Sequence, residues 1–214
     1  MQTVHINKLG SQVTQLSPVT WRTYENFLED LGESYADRLS YSDGVLEIMS
    51  PSSTHGLYNA DIQFFIYELC CATDKSCMAL GNFTLKQDKL QKGIEPDNCY
   101  YIQNEPQVRH KQKIDLAQDI PPDLAIEIDI STDSTKKLDI YASLGVPELW
   151  FFDGDELVIY QLEQQNYKIT SDSAIFPNLN LETHILKLIE LGYEIGHAQA
   201  CKKLIERIKQ QGLI

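Results

Sequence analysis

The sequence predicts a single domain of the α/β (α+β) class, and three observations carry that expectation. Apolar residues recur at helical spacing in some segments and alternate with period two in others. No internal repeat and no Pro/Gly/Ser-rich linker divides the chain, and 214 residues are enough to bury one substantial core.

From the N-terminus, Trp21, Tyr24, Phe27, Leu28 and Leu31 form the stripe of an amphipathic helix over 20–31. Pro18 and Thr20 suit its start and Gly32 its end. Arg38–Tyr41 and Val45–Met49 flank Ser42-Asp43-Gly44, and an Asp-Gly between short apolar runs predicts a β-hairpin. The turn Pro51–Gly56 offers several helix caps ahead of Leu57–Cys71, where Ile62, Phe65, Ile66, Leu69 and Cys70 predict a long buried helix. Met78–Leu85 reads as strand with a break at Gly81-Asn82, Gln87–Gly93 as an exposed turn, and Asp97–Ile102 as a strand. Residues 104–118 are polar and read as loop or a short irregular helix.

In Asp123–Ile130 every even position is apolar and three of the four odd positions are acidic, which predicts a strand with one acidic face. Ser131–Thr135 offers caps to a helix over 136–144, closed by Gly145 and Pro147. Glu148–Phe152 and Leu157–Tyr160 read as strands around Asp153-Gly154-Asp155, with Tyr167–Ile169 a third strand beside them. Helical patterns over 181–191 and 195–210 complete the chain. The second carries Ala198, Cys201, Leu204, Ile205 and Ile208 on one stripe, for packing on the domain or against another copy. The aromatics Trp21, Tyr24, Phe27 and Trp150–Phe152 read as core rather than as a base-stacking platform.

A net charge of −13 repels phosphate backbones, which disfavours indiscriminate nucleic-acid binding and attachment to anionic membranes. The N-terminus lacks a signal peptide's apolar stretch, and no run approaches the ~18 residues that span a bilayer. A cytoplasmic protein without a membrane partner is expected. Five cysteines with no C-x-x-C pair predict buried free thiols rather than disulfides or zinc. The most basic stretch, from Lys86 through Arg109, Lys111 and Lys113, is where a polymer would bind, and Lys111 and Lys113 are the nucleic-acid contact candidates.

On the strand 123–130, Glu127 and Asp129 share a face within roughly 7 Å. Such a pair favours a cation; the alternative reading is a solvated polar face of an edge strand with no chemistry. Glu95-Pro96-Asp97 supplies another carboxylate at a strand start, and hard oxygen ligands of this kind suit Mg²⁺ or Mn²⁺. Phosphoryl chemistry also needs a positive group, and Lys136 and Lys137 are nearest; helical spacing puts Lys137 and Tyr141 on one face.

Glu95-Pro96-Asp97 followed by Glu127-Ile128-Asp129 resembles the PD-(D/E)xK nuclease signature, whose core is a mixed β-sheet flanked by helices. Closer still is the resemblance to a bacterial family of restriction-endonuclease-like proteins. It runs over about 20–160, through Ile48–Pro51, His55, Pro122–Ile128, Lys137–Tyr141 and Gly145–Trp150. The resemblance implies a restriction-endonuclease-like core with an N-terminal helix and hairpin, which the helical patterns over about 181–211 extend at the C-terminus. It further implies that Asp97, Glu127 and the Ile128 carbonyl hold Mg²⁺ or Mn²⁺, that Lys137 positions the attacking water, and that Tyr141 supports Glu127. His55 matches a recurrent histidine, and its residue-level reading is equally a cap or a packed polar group. The sequence departs from the signature in reading E-x-D: the lysine two residues after Glu127 is replaced by Asp129, and Lys137 takes the place from the following helix. Lys136 is its rival, and Asp129 either adds a ligand or disables the site.

The expected function is a Mg²⁺-dependent endonuclease acting on DNA, as a homodimer because cutting two strands needs two sites. The alternatives are a catalytically inactive binding or assembly module of the same fold, and a hydrolase of small phosphate esters. Asp123 reads as a strand-entry residue rather than a ligand, and Glu148 as a strand-start carboxylate bonded to nearby backbone amides, outside the chemistry.

Overall fold

The computed structural model describes residues 1–32, 35–81, 83–128 and 134–214, with backbone alone at 134 and 135. Asp129, the caps at 131–133 and the break at Asn82 lie outside the described residues.

The helix expected from Thr20 is α1 (Trp21–Leu31): Thr20 Oγ1 accepts from Thr23 N at 3.1 Å, and Gly32 ends it at φ 68°. The hairpin is β3 (Arg38–Ser42) and β4 (Val45–Ser50), with Asp43 and Gly44 both at positive φ, as a two-residue turn of the primed kind requires. Ahead of them lies a hairpin that periodicity did not announce, β1 (Gln2–Ile6) and β2 (Gln12–Leu16). Its outer strand buries almost nothing, and its two apolar residues, Val4 and Ile6, are both exposed. The segment 87–93, expected as an exposed turn, is instead paired. Leu85–Gln87 (β6) and Lys92–Ile94 (β7) form a hairpin around a 3-10 turn, with Gly93 buried beneath the Tyr24 ring.

These strands make one six-stranded antiparallel sheet in the order β1-β2-β4-β3-β7-β6. Trp21 and Tyr24 of α1 pack on it against Leu39, Tyr41 and Leu46, with Tyr24 stacked on Tyr41 at 5.1 Å.

The second six-stranded sheet is mixed. Its strands are β5 (Met78–Ala79), β8 (Asn98–Tyr101), β9 (Leu124–Ile128), β10 (Glu148–Phe152), β11 (Leu157–Glu163) and β12 (Asn166–Thr170), in the order β12-β11-β10-β9-β8-β5. Among the described residues only β9 and β10 pair in parallel, and helix α4 (Ser134–Leu144) lies between them in the chain, as a parallel pair needs a long crossover. Period-two alternation then sorts the faces. Leu124, Ile126, Ile128, Trp150 and Phe152 point into a large core with α2 (Ser53–Ala72), α5 (Leu181–Ile195) and α6 (His197–Gln210). Ala125, Leu149 and Phe151 point the other way, toward Ile140, Tyr141 and Leu144 of α4. Each fully buried aliphatic contributes about 1.5–3 kcal/mol, so this alternation fixes which face Glu127 occupies.

The polar stretch after β8 contains one short helix, α3 (Glu105–Val108). The stripe on α6 packs within the chain: Cys201, Leu204, Ile205 and Ile208 are buried with α2 and α5, whereas Ala198, expected on the stripe, is exposed and Ala200 is buried in its stead; His197 Nδ1 meets Asp61 Oδ2 at 2.8 Å. All five thiols are free, with Cys70, Cys99 and Cys201 buried but Cys71 exposed on the open side of α2, against the expectation of burial throughout. No helix among the described residues is long and apolar enough to cross a membrane.

Candidate active site

Asp97 lies one step before the Asn98–Ile126 pair of the antiparallel β8–β9 ladder, which brings it alongside Glu127. Its position is pinned three ways: its N–H donates to Ile126 O at 3.1 Å, its Oδ2 accepts from Ile128 N at 2.7 Å, and its carbonyl accepts from Asn59 Nδ2 at 3.1 Å. Pro96, by fixing φ just ahead, suits this entry. Both carboxylates are buried, Asp97 and Glu127 each at 2% exposure.

Glu127 faces α4. Its Oε2 accepts from Lys137 Nζ at 2.6 Å and its Oε1 from the Tyr141 hydroxyl, so residues i and i+4 of one helix face hold the two oxygens of one carboxylate. Burial raises the pKa of Glu127; Lys137 lowers it, Asp97 raises it again, and the Lys137 and Tyr141 hydrogen bonds lower it, leaving it above the ordinary glutamate value. Burial alone would depress Lys137, yet Glu127, Glu47 and Asp97 outweigh it and hold the amine well above its usual value. This direction favours the ammonium form of Lys137, which donates to Glu127.

Around Asp97, His55 Nε2 stands 3.0 Å from Oδ2, and Arg38 Nε of β3 stands 3.5 Å from Oδ1, neither in hydrogen-bond geometry. The helix cap is Ser52, whose Oγ accepts from His55 N at 3.2 Å, so the histidine ring is left to face Asp97. Between the antiparallel sheet and α4, a narrow cleft of about 20 Å³ is lined by Gln15, Ser40, Ser42, Glu47, Lys136 and Lys137. Wider clefts of about 680, 510 and 500 Å³ are lined by other residues.

The profile of the Uma2 family, described as "Putative restriction endonuclease", matches residues 22–191. The chain belongs to this family. A structural relative of this Uma2 chain is described as a "putative nuclease belonging to DUF820" from Anabaena variabilis ATCC 29413. It is 19% identical, with a TM-score of 0.50 over 78% of this chain and 92% of that one. The two share a restriction-endonuclease-like fold of the PD-(D/E)xK kind. No curated protein gives a significant match.

In this Uma2 member, then, the structure brings Asp97, Glu127, Lys137, Tyr141, His55 and the Ile128 amide together. Lys136 lines the adjoining cleft. Asp129 lies outside the described residues. Lys111 and Lys113 are not part of this cluster. Lys111 is bonded to Asp119, as Arg109 is to Glu105 and Lys86 to Glu25 and Asp88, so local acids answer much of the basic stretch. Lys113 lines the 500 Å³ cleft with Lys86 and Lys89, and with Asp88 and Asp115.

Two neighbouring carboxylates are structural. Asp123 accepts from Ile102 N at 2.7 Å and Asn104 N at 3.0 Å, and Glu95 accepts from Leu39 N at 3.0 Å, Thr84 Oγ1 at 2.6 Å and the Tyr35 hydroxyl. Sequence reasoning missed Arg38, Asn59 and Glu47. Glu47 carried a signal, as the one acid in the apolar run Val45–Met49; Arg38 and Asn59 carried none, because their partner lies far along the chain.

A divalent cation fits the donor set. Asp97 Oδ1 is buried with no hydrogen-bond partner among the described residues, beside a second carboxylate on the next strand. No group of three His, Cys, Asp or Glu side chains suited to a metal occurs among the described residues. Two carboxylates nonetheless suit Mg²⁺, which commonly binds through one or two, with water and substrate phosphate completing its shell.

Proposed function

We propose that this chain is a divalent-metal-dependent endonuclease that hydrolyses phosphodiester bonds in DNA. The observation that carries the reading is the joint placement of Asp97 and Glu127 on adjacent strands with Lys137 Nζ 2.6 Å from Glu127 Oε2, in the chain order of the nuclease signature. Asp97 and Glu127, with the Ile128 carbonyl, would hold Mg²⁺ or Mn²⁺. When bound, the cation supplies positive charge at the scissile phosphate and acidifies water.

The chain's own groups do the rest. Tyr141 fixes the plane of the Glu127 carboxylate, and His55 flanks the oxygen of Asp97 that the Ile128 amide also holds. Lys137, held protonated, orients the attacking water and meets negative charge growing on the phosphoryl oxygens. In this reading Lys137, rather than Lys136, substitutes for the lysine missing after Glu127. The protein would act as a homodimer on DNA that reaches it at particular sites, because its acidity disfavours general binding. With the α6 stripe buried inside the chain, the dimer contact would use another surface.

The test is cleavage of plasmid and single-stranded DNA in Mg²⁺ or Mn²⁺ by wild type, Glu127→Gln and Asp97→Asn. Metal-dependent cutting lost in both variants is expected, and cutting that persists in both overturns the proposal. One observation favours the inactive-module reading: Lys137 and Tyr141 between them already occupy both oxygens of Glu127. A stable oligomer that binds no Mn²⁺ would decide for it.

A further inference from the structure

Four buried polar atoms around Asp97 make no hydrogen bond among the described residues: its own Oδ1, Arg38 Nε, His55 Nε2 and Asn59 Oδ1. Unsatisfied buried polar groups are costly, and several around one carboxylate mark a place where a further species belongs. The two cations of the site are also held unequally. Lys137 is hydrogen-bonded to Glu127 at 2.6 Å, with 12% of its side chain exposed. Arg38 stands 3.5 Å from Asp97 Oδ1, unbonded to it, with 17% exposed. Its Nη1 is tied instead to the carbonyls of Ala36 at 2.9 Å and Asp37 at 3.1 Å, where the chain enters β3.

We propose that Arg38 is an exchangeable counter-ion, which neutralises Asp97 while no metal is bound and transfers to a phosphate oxygen of the phosphodiester when a divalent cation takes Asp97. The inference rests on the reading of Asp97 and Glu127 as a cation site. Its logic is charge balance. At Asp97 itself the guanidinium of Arg38 is the opposed charge, 3.5 Å from Oδ1, so a divalent cation that takes this carboxylate leaves Arg38 without its counter-charge there, although Glu95 and Glu47 add negative charge nearby. A phosphodiester brings negative charge, and a guanidinium is the side chain best shaped to receive it. Lys137 keeps Glu127 as its partner and does not stand against Asp97, and His55, at 1% exposure, is enclosed. Arg38, not hydrogen-bonded to its carboxylate and slightly nearer solvent, can. Cation and phosphodiester then bind cooperatively, each strengthening the other by the same factor.

The experiment is calorimetric titration of Mn²⁺ into wild type and Arg38→Gln, with and without the dinucleotide TpT as a phosphodiester probe. Without TpT, Arg38→Gln is expected to bind Mn²⁺ roughly ten-fold tighter than wild type, because a competing charge is gone. With TpT, wild type gains Mn²⁺ affinity and the variant gains much less. An Mn²⁺ affinity in Arg38→Gln no tighter than in wild type, with binding still lost in Glu127→Gln, overturns the counter-ion role and leaves the cation site standing. No Mn²⁺ binding in either protein overturns the site and the exchange together. If Arg38→Gln does not fold, Arg38→Lys keeps the charge without the planar fork; a diminished TpT gain supports the exchange, and an undiminished one overturns it.

Discussion

Lys137 Nζ donates to Glu127 Oε2 at 2.6 Å, from the first turn of the helix that follows the strand bearing the glutamate. Both groups are almost wholly removed from solvent, so each is tolerable only with the other present. Lys137→Met should cost about 3–5 kcal/mol in urea unfolding at neutral pH, since it leaves a buried carboxylate beside Asp97 without its cation. Glu127→Gln added to Lys137→Met should recover most of that loss. A single variant as stable as wild type would show that the pair contributes nothing to the fold.

The raised pKa of Glu127 sets a second expectation. A carboxylate must ionise before it holds a cation, so protons and Mn²⁺ compete for it. Mn²⁺ affinity should fall on acidification with a midpoint above the ~4.3 of an unperturbed glutamate. The folded protein holds this proton more tightly than the unfolded chain does. Glu127 therefore contributes stability below the unfolded-chain value and loses it as pH rises through the folded value. Carbon-13 NMR of the Glu127 carboxyl reads the titration directly, and Asp97→Asn should move its midpoint downward by removing a neighbouring negative charge. A midpoint at or below the unperturbed value would contradict the burial argument.

The elements that frame this site were legible because local rules write them. Leu124, Ile126 and Ile128 alternate, Asp43-Gly44 can close only a tight hairpin, and Thr20 and Gly32 bracket one helix. Lys137 and Tyr141 were placed on one face by helical spacing alone. What stayed hidden was either exposed or long-range. The β1 strand has no buried face for periodicity to mark. That Arg38 stands by Asp97 depends on β3 pairing with β7, a register set between sheet strands that lie far apart in the chain. Whether His55 would cap its helix or face Asp97 depended on Ser52 taking the cap first.

Gly93 tests the junction between α1 and the antiparallel sheet. A Cβ there would overlap the hydroxyl and ring of Tyr24, a buried side chain whose own hydroxyl has no hydrogen-bond partner among the described residues. Gly93→Ala should cost about 1–3 kcal/mol through overpacking. Tyr24→Phe alone should be neutral or stabilising, because it removes an unsatisfied buried hydroxyl, and combined with Gly93→Ala it should restore part of the loss. Thermal unfolding of the three variants measures this; additive losses would mean the ring moves aside without help.

Glu148 separates carboxylates that hold the fold from those proposed to act in it. It sits at the start of β10 with 1% exposure. Its Oε1 accepts from Trp150 Nε1 at 2.7 Å and Ser173 Oγ at 2.5 Å, and its Oε2 from Ala174 N at 2.8 Å. Ser173 Oγ in turn accepts from the amides of Ile175 and Phe176, so one charge organises the whole approach to α5. Hydrogen bonds to a charged group contribute about 1.5–3 kcal/mol, and Glu148→Gln should lose stability of that order. Its Mn²⁺ affinity should equal that of wild type, because every partner it loses lies in the strand and loop it fastens rather than around Asp97 and Glu127. Loss of Mn²⁺ binding in the folded variant would instead bring Glu148 into the cation site.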